Sequence, residues 1–414
     1  MKISQDNKEK IRSLCLNIGA IVLLNVIIQF LIYPVMERKM GEADFGVVLS
    51  LLALVSITAN TVGIAVNYAR LVKVREIETA NGDFNLFLLF GGLVSAGIGV
   101  FYLAQLGLLS PINGFLFSLL ILLTTFRYYS DVEFKIKGNS LRYFLFYALI
   151  SLGYLAGLLV YRISGNWMTA IITGEACGIL FAALASGIYR RALIPSRALG
   201  VVWKSILFLL LSGLLENLTL NADRLILLAF AGGESVTVYY IASLFGKVAS
   251  LLTVPLNAVI ISYLIRYEKD LTPRFWSIFV VGGLIVGGLG LGGCLLGSYI
   301  ILPFLYADTF TLAMPYIFPA IASQIFYFVS SVLLVVLLRF RGEKKQFLMN
   351  LGYAAEFFLL VFIGTITNGL VGFVWFSLIA NLLRFLLVAA WGFLPDRRVR
   401  KQVGLSESTT QKTP

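Results

Sequence analysis

The sequence contains no histidine and only three cysteines, and 13% of its 414 residues are charged. Without histidine there is no histidine proton relay, no histidine–metal site and no serine–histidine catalytic pair. Cys15, Cys177 and Cys294 fall in apolar segments without a metal-binding spacing, so we interpret them as small packing residues. A GxxxxGK[ST] loop is also absent, which excludes nucleotide hydrolysis by that route. We therefore expect no cofactor, apart from a coupling proton or sodium ion.

Long apolar segments dominate the sequence, and hydrophobic residues make up 59% of it. About 20 residues of helix cross the hydrocarbon of a bilayer, where the backbone must satisfy its own hydrogen bonds. The pattern therefore predicts an all-α integral membrane protein with twelve transmembrane helices. The first span lacks an A-x-A-like cleavage site, so we expect it to be retained. The predicted spans are 13–36, 45–69, 84–106, 112–130, 142–161, 167–189, 203–230, 236–262, 276–302, 312–338, 347–367 and 370–393.

The distribution of lysine and arginine predicts the orientation. If the N-terminus is cytoplasmic, 27 of the 33 lysines and arginines fall on the cytoplasmic side and 3 on the other. Cytoplasmic segments of membrane proteins carry this excess of positive charge, so both termini are predicted to be cytoplasmic. The net charge of +12 follows from the same rule and from anionic lipid headgroups, and no nucleic-acid partner is needed to explain it.

The two halves of the chain share a weak repeat. Residues 41–46 read GEADFG and open the second span, and residues 233–238 read GESVTV and open the eighth, 192 residues later. Six spans in each half predict two pseudo-symmetric six-helix bundles, a common plan of transporters whose site lies between the halves. The predicted domains are a cytoplasmic N-terminus (1–12), an N-terminal bundle (13–195), a C-terminal bundle (196–394) and a disordered cytoplasmic tail (395–414).

Polar stripes run along several predicted spans. Ser56, Asn60, Gly63, Asn67 and Arg70 recur at helical spacing on one face of the second span. Polar side chains at membrane depth must face protein or a water-filled cavity. Stripes in both halves therefore predict a shared, hydrated, net cationic cavity that binds a substrate. The candidate substrate-binding residues are Arg224, Lys247, Arg384, Arg70, Asn60, Asn67 and Asn221.

Four intramembrane carboxylates, Asp223, Glu216, Glu175 and Glu356, are candidates for coupling or for ion pairs. Each could bind a coupling proton or sodium ion, or neutralise an arginine. Two pairings stay open. Asp223 could pair with the adjacent Arg224, and Glu356 could pair with Arg384 of the twelfth span.

Structural alternatives also stay open for the stripe of the second span. Arg70 lies at the end of its predicted helix, where an arginine is often a topology charge. Asn60 and Asn67 could merely join helices through hydrogen bonds.

Two stretches resemble a known family. These are MGEADFGVVLSLLAL after the first span, with Phe45-Gly46, and NADRLILLAFAGGESVTVYYIASLF across the seventh and eighth, with Asp223 and the spacing from Gly233 to Tyr239. Together with twelve spans in two sixes, they are similar to the Wzx-type polysaccharide flippases of the multidrug/oligosaccharidyl-lipid/polysaccharide (MOP) exporter superfamily. The resemblance covers the whole chain as a pattern.

The resemblance implies a multi-pass protein of the bacterial cytoplasmic (inner) membrane. It would move undecaprenyl-diphosphate-linked oligosaccharide repeat units to the periplasmic leaflet for O-antigen (lipopolysaccharide), capsule or exopolysaccharide biosynthesis. The implied partners are that lipid-linked oligosaccharide, membrane lipids, a glycan polymerase and a chain-length regulator. Arginine and lysine in a cavity of low dielectric would attract the diphosphate.

Other functions remain as alternatives. A MATE-like cation-coupled drug antiporter shares the twelve-helix plan, but its cationic substrates favour an acidic cavity. A lipid II flippase usually has fourteen spans. A membrane glycan polymerase or glycosyltransferase needs a large periplasmic loop, and the longest predicted outer loops have about ten residues. Because such a loop is not predicted, we do not expect an enzyme. A scaffold protein would not need buried charges.

Overall fold

The computed structural model describes residues 5–250, 253, 256, 257, 260, 264, 271–341 and 343–394, with backbone only at 5–11, 216, 343 and 344. The predicted tail 395–414 and most of the second half of the predicted eighth span lie outside the described residues. The described part of the chain is almost entirely helical and contains no β-strand, as the all-α prediction required.

Thirteen α-helices follow one another in the described residues. The π-helical segments Ile28–Ile32 and Ser56–Asn60 join α1 to α2 and α3 to α4. In chain order the α-helices are α1 (Gln5–Ile27), α2 (Tyr33–Met40), α3 (Glu42–Val55), α4 (Thr61–Glu76), α5 (Asn81–Gln105), α6 (Pro111–Ser130), α7 (Val132–Ile136), α8 (Ser140–Ser164), α9 (Met168–Ala185), α10 (Leu199–Ser250), α11 (Pro273–Leu305), α12 (Phe310–Arg341) and α13 (Glu343–Phe393).

Several helices begin at side chains that cap them. Ser110 accepts a hydrogen bond from the Asn113 amide at the start of α6, and Thr272 accepts one from the Phe275 amide at the start of α11. A proline follows each of these caps at the first helical position, where its missing N–H costs no hydrogen bond. The local sequence therefore specifies where these apolar helices begin.

Within the described residues, ten helical stretches are long and apolar enough to cross a membrane. Two of the long helices contain a break. The break in α10 is at Gly232, and the break in α13 is at Asn368 and Gly369. Both glycines have positive φ, a conformation that side chains disfavour. If each broken helix is counted as two spans, the total is the predicted twelve. The number of spans and the orientation of the termini both stay predictions.

The start of the predicted repeat has the same backbone conformation in both halves. Gly41 precedes α3 with φ 81° and ψ 166°, and Gly232 has φ 82° and ψ 170°. The break in α10, at Gly232, falls one residue before Gly233, the residue at which the sequence predicts that the second repeat begins. Glycine is needed at both positions because of the positive φ, so the weak sequence match marks a shared local structure.

The chain divides into two compact units, Met1–Leu228 and Ala229–Pro414. In the first unit, α4, α5, α6, α7 and the start of α10 enclose an apolar core around Phe84, Phe87 and Tyr129. Trp203 packs edge-on against Phe87, with ring centroids 5.2 Å apart, and its Nε1 donates to the Asp83 carbonyl. The first part of α10 is therefore anchored within this unit. The predicted domain boundary at 195/196 stays a prediction.

The second unit is built on the packing of α12 against α13. Trp276 of α11 is fully buried, and its Nε1 donates to the Ala389 carbonyl of α13 at 2.8 Å. Gly392 leaves room for the Trp276 ring, because a side chain there would overlap it. Many large apolar side chains remain exposed along the helices of both units, as in Phe208 and Phe304. Such surfaces are expected where a helix faces lipid rather than water.

Candidate functional site

Arg384 lies in the second part of α13, against the rings of Tyr327 and Tyr353. Its guanidinium carbon is 4.3 Å from each ring centroid, and the residue is 6% exposed. Nη2 donates to Asn350 Oδ1 over 3.4 Å, whereas Nη1 is buried without a hydrogen-bond partner among the described residues. A guanidinium has five N–H groups, so most donor capacity here is uncommitted. Arg384 is thus a buried cation held by aromatic rings and able to donate further.

A cavity of about 210 Å³ adjoins this arginine within the second unit. Its walls come from α12 and from both parts of α13, and most lining side chains are apolar. In such surroundings a positive charge attracts an anion far more strongly than in water. The cavity is lined by Leu334, Leu348, Met349, Asn350, Gly352, Tyr353, Glu356, Arg384, Leu387 and Val388.

Glu356 lines the same cavity and is half-buried. Among the described side chains, it makes no hydrogen bond and has no basic nitrogen within the 4.0 Å of an ion pair. The Arg384–Glu356 ion pair that the sequence left open is therefore not formed. The cavity presents one cationic and one acidic side chain, each unneutralised by the other.

A chain of polar groups extends from the ring of Tyr353 into the unit. The Tyr353 hydroxyl donates to Asn381 Oδ1 at 2.9 Å, and Asn381 Nδ2 donates to Ser323 Oγ at 2.8 Å. Ser323 in turn shares a hydrogen bond of 2.8 Å with Ser377. All four side chains are buried. Because buried polar groups fix one another's geometry, this chain holds the Tyr353 ring against Arg384.

Lys247 lies in α10, beyond the break at Gly232. Its Nζ is 5.5 Å from the centroid of the Tyr239 ring, which packs edge-on against Phe373 at 4.8 Å. The lysine is thus held near an aromatic face, as Arg384 is. Lys247 is not one of the residues that line the Arg384 cavity.

In the first unit, Glu175 is the partner of an arginine that the sequence reasoning missed. Arg127 Nε donates to Glu175 Oε2 at 2.7 Å, and Nη2 reaches Oε1 at 3.3 Å. The Tyr154 hydroxyl donates to the same Oε1 at 2.6 Å, and the Tyr128 ring lies 3.7 Å from the Arg127 guanidinium carbon. Both charged side chains are buried. Of the two interpretations of Glu175, the structure shows the ion pair.

Arg127 was counted from the sequence as a cytoplasmic topology charge, because it lies near the end of the predicted span 112–130. A signal existed in the sequence. Arg127 and Glu175 are opposite charges inside two predicted spans, and intramembrane charges usually pair. Counting charges by side of the membrane ignores burial, which is why the pair was overlooked.

Asn67 joins α4 to the end of α6. Its Nδ2 donates to Asp131 Oδ1 at 2.7 Å and to the Tyr128 carbonyl at 3.0 Å. Asp131 is also bound by the Tyr147 hydroxyl at 2.9 Å and by Lys135 Nζ at 2.9 Å. The Asn67 Nδ2 group therefore joins two helices, whereas its Oδ1 is buried without a hydrogen-bond partner among the described residues.

Asn60 and Arg70 contact neighbouring tyrosines of the same α6 end. Asn60 Nδ2 donates to the Tyr128 hydroxyl at 3.0 Å, while its Oδ1 has no partner among the described residues. Arg70 donates to the Tyr129 hydroxyl and to Asn81 Oδ1 at 2.8 Å. The polar stripe of the second predicted span thus faces α6 and its tyrosines.

Two candidates in the first part of α10 form hydrogen bonds with the backbone of their own helix. Asn221 Nδ2 donates to the carbonyl of Asn217 one turn earlier, at 3.0 Å. Asp223 is buried, and its Oδ1 accepts a hydrogen bond of 2.9 Å from the backbone amide of Arg224. The side chain of Glu216 lies outside the described residues.

The structure therefore brings the predicted residues together in two places. Asn60, Asn67, Arg70 and Glu175 surround the end of α6, and Arg384 shares a cavity with Glu356. Within the described residues, no group of three or more His, Cys, Asp or Glu side chains is arranged to hold a metal ion.

Comparisons with known proteins identify the fold. No protein-family model and no curated protein sequence matches this chain. Among solved structures, the lipid II flippase MurJ in an inward closed conformation is similar over 91% of this chain and 86% of its own, with a TM-score of 0.66 and 13% identity. An inward-facing multidrug resistance MATE family transporter of the MOP superfamily is similar over 94% and 95%, with a TM-score of 0.64 and 13% identity.

A third structure is a MOP superfamily transporter from Pyrococcus furiosus, described as having a binding pocket of reverse polarity. It is similar over 92% of this chain and 93% of its own, with a TM-score of 0.59 and 13% identity. Identities this low establish the fold alone. The chain is a multi-pass membrane protein with the transporter fold of MATE and MurJ, and these structural neighbours are transporters and flippases rather than enzymes.

Proposed function

We propose that this protein is a flippase that moves undecaprenyl-diphosphate-linked oligosaccharide repeat units to the periplasmic leaflet of a bacterial cytoplasmic membrane. The observation that carries the proposal is Arg384, a buried arginine with uncommitted donors beside an apolar cavity. Arginine matches phosphate oxygens in geometry and charge, and removal from water strengthens each such bond. Arg224 and Lys247 add two more cations in the apolar helix α10.

The flipping cycle needs a difference in affinity between two conformations. A ligand shifts a conformational equilibrium only by as much as it binds one state better than the other. In this proposal, the apolar chain stays in the bilayer while the diphosphate is held by the cations and released on the other side. Asp223, Glu216 and Glu356 remain candidates for a coupling proton or sodium ion, whereas Glu175 is engaged by Arg127. A glycan polymerase and a chain-length regulator would act on the flipped product.

The second candidate is a MATE-like cation-coupled drug antiporter, which the similarity to a MATE transporter keeps open. An arginine beside the cavity disfavours it, because a cationic drug would be repelled there. Glu356 in the same cavity is the feature on its side. The two functions predict opposite charge on the transported molecule, so one set of variants separates them.

The test is to measure lipid-linked repeat units in cells with and without the protein, reading the leaflet with an impermeant glycan probe. We expect complete units to be trapped on the cytoplasmic side without the protein or with Arg384→Gln. The matched control is Arg339→Gln, which removes an exposed arginine of α12 and should leave flipping normal. Normal flipping in cells without the protein, with altered drug tolerance, would contradict the proposal and favour the antiporter.

A further inference from the structure

The Arg384 cavity holds one basic and one acidic side chain, and neither forms an ion pair among the described residues. Arg384 commits one N–H group to a neutral amide oxygen, and Glu356 commits neither oxygen to a hydrogen bond among the described residues. Both line one apolar cavity, yet they do not pair. Unpaired charges at membrane depth are costly and are normally neutralised. A ligand that contacts both side chains would satisfy them together.

Two tyrosine rings contact the guanidinium of Arg384. The centroids of the Tyr327 and Tyr353 rings each lie 4.3 Å from the guanidinium carbon and 5.9 Å from each other, so the rings contact adjoining rather than opposite sides of it. Tyr353 is held by Asn381 through its hydroxyl. The contacts that hold the arginine in the cavity wall therefore do not involve Glu356. A ligand that contacts both side chains must therefore carry two different polar groups.

The lining residues define what such a ligand must carry. Arg384 requires an anionic group, and Glu356 requires hydroxyl or amino groups that donate hydrogen bonds, because a carboxylate accepts only. The leucines and the valine of the wall accommodate an apolar segment. A phosphate that links a hydrocarbon chain to a sugar has these three parts in one molecule.

We propose that this cavity recognises the phosphate–sugar junction of the transported lipid, with Arg384 binding phosphate and Glu356 accepting hydrogen bonds from the first sugar. The inference rests on the proposed function and adds a specificity-determining residue to it. Glu356 would discriminate sugar-bearing lipids from bare prenyl phosphates, which share the anion and the apolar chain. Hydrogen bonds to a charged acceptor typically change affinity by about tenfold or more.

The experiment uses two probes of equal charge and equal chain, the glucosyl ester and the methyl ester of farnesyl diphosphate. Binding to the purified full-length protein in detergent is measured by isothermal titration. We expect the glucosyl ester to bind about tenfold more tightly than the methyl ester, because only the sugar donates to Glu356. Glu356→Leu should reduce this ratio to about one, and Glu356→Gln, which still accepts a hydrogen bond, should retain part of it.

Arg384→Gln should weaken both esters by about tenfold and leave their ratio unchanged, because the shared diphosphate is what arginine binds. The controls are Glu234→Gln and Arg339→Gln, which alter exposed side chains of the second unit and should change neither affinity. Circular dichroism and size exclusion of each variant establish that it is folded.

The outcomes separate this inference from the proposed function. Equal binding of both esters to the wild type, or a ratio unaffected by Glu356→Leu, would overturn recognition of the sugar while leaving a diphosphate-binding flippase intact. The predicted ratios together with normal flipping in Arg384→Gln cells would support the site and count against the function. Displacement of the glucosyl ester by phosphatidylethanolamine at equal concentration, but not by phosphatidylglycerol, would assign the cavity to a membrane lipid and reject the proposal.

Discussion

Two of the buried arginines, Arg127 in the first unit and Arg384 in the second, have opposite surroundings. Arg127 of the first unit forms two hydrogen bonds with Glu175, which Tyr154 also contacts. Arg384 of the second unit contacts two tyrosine rings and makes one long hydrogen bond to an amide. Glu356 lines the same cavity as Arg384, but only in the first unit does the acid form an ion pair with the arginine.

The difference follows from what each arrangement can contribute. A neutralised pair has no charge left for a ligand, so the Arg127 pair specifies how α6 and α9 pack. An arginine that contacts aromatic rings rather than an acid keeps its charge and N–H groups available for a ligand. Its charge is not compensated by an acid, which makes the folded protein less stable than a paired charge would. The comparison therefore separates polar groups that build the fold from polar groups available to a substrate, and variants can test that separation.

The largest effect is expected at the paired arginine. Arg127→Ala leaves Glu175 buried without its cation and should lower the free energy of unfolding by about 3–5 kcal/mol, the usual result of breaking a buried pair. Thermal unfolding of the purified protein in detergent would measure this loss.

Replacing both partners is the control. Arg127→Met combined with Glu175→Leu removes both charges and should recover most of the stability, since apolar side chains of similar size often replace a buried pair without loss. If the double variant were as unstable as the single variant, the pair would not be a structural element of the kind described.

The next effect is expected at the Asn67 junction. Asn67→Ala removes the hydrogen bond to Asp131 and leaves the Tyr128 carbonyl without this donor, for a loss of about 1–3 kcal/mol of unfolding free energy. Asn67→Asp should be more destabilising than Asn67→Ala, because it places a second carboxylate against Asp131. The same unfolding measurement applies, and an Asn67→Asp protein more stable than Asn67→Ala would contradict the junction.

Sequence reasoning located the helices well and their partners poorly. The predicted spans 84–106 and 112–130 correspond to Asn81–Gln105 and Pro111–Ser130, because membrane thickness sets the length of an apolar segment. The breaks at Gly232 and Gly369 separate the long helices where the sequence placed loops. Length and hydropathy are local properties, so one sequence suffices to predict them.

Partners depend on packing between distant helices, which a single sequence does not specify. The sequence showed that Glu175 and Glu356 were intramembrane acids, but not that one pairs with Arg127 and the other stays apart from Arg384. Likewise, the helical stripe of Asn60, Asn67 and Arg70 predicted a shared polar face. Only the structure shows that this face forms its hydrogen bonds with tyrosines of α6 and with Asp131.

The unpaired arginine should affect transport more than stability. Arg384→Leu is expected to reduce flipping by about tenfold, the value of one charge-assisted hydrogen bond to phosphate. It should change the free energy of unfolding by less than about 1 kcal/mol, because the lost ring contacts are offset by removal of an uncompensated charge. The measurements are the leaflet assay and thermal unfolding on the same protein. A loss of stability as large as that of Arg127→Ala would make Arg384 a structural residue instead.

Asn60 tests the comparison where the effect is smallest, because it has features of both regions. Its Nδ2 bonds the Tyr128 hydroxyl, whereas its Oδ1 is uncommitted among the described residues. If Asn60 serves the fold, Asn60→Ala and Tyr128→Phe should each lower the free energy of unfolding by about 1 kcal/mol. The double variant should then lose less than their sum, because both changes remove one hydrogen bond. If Asn60 instead contacts substrate, Asn60→Ala should reduce flipping while Tyr128→Phe does not. Since Asn60 belongs to the α6 network that contains the Arg127 pair, we expect the first result.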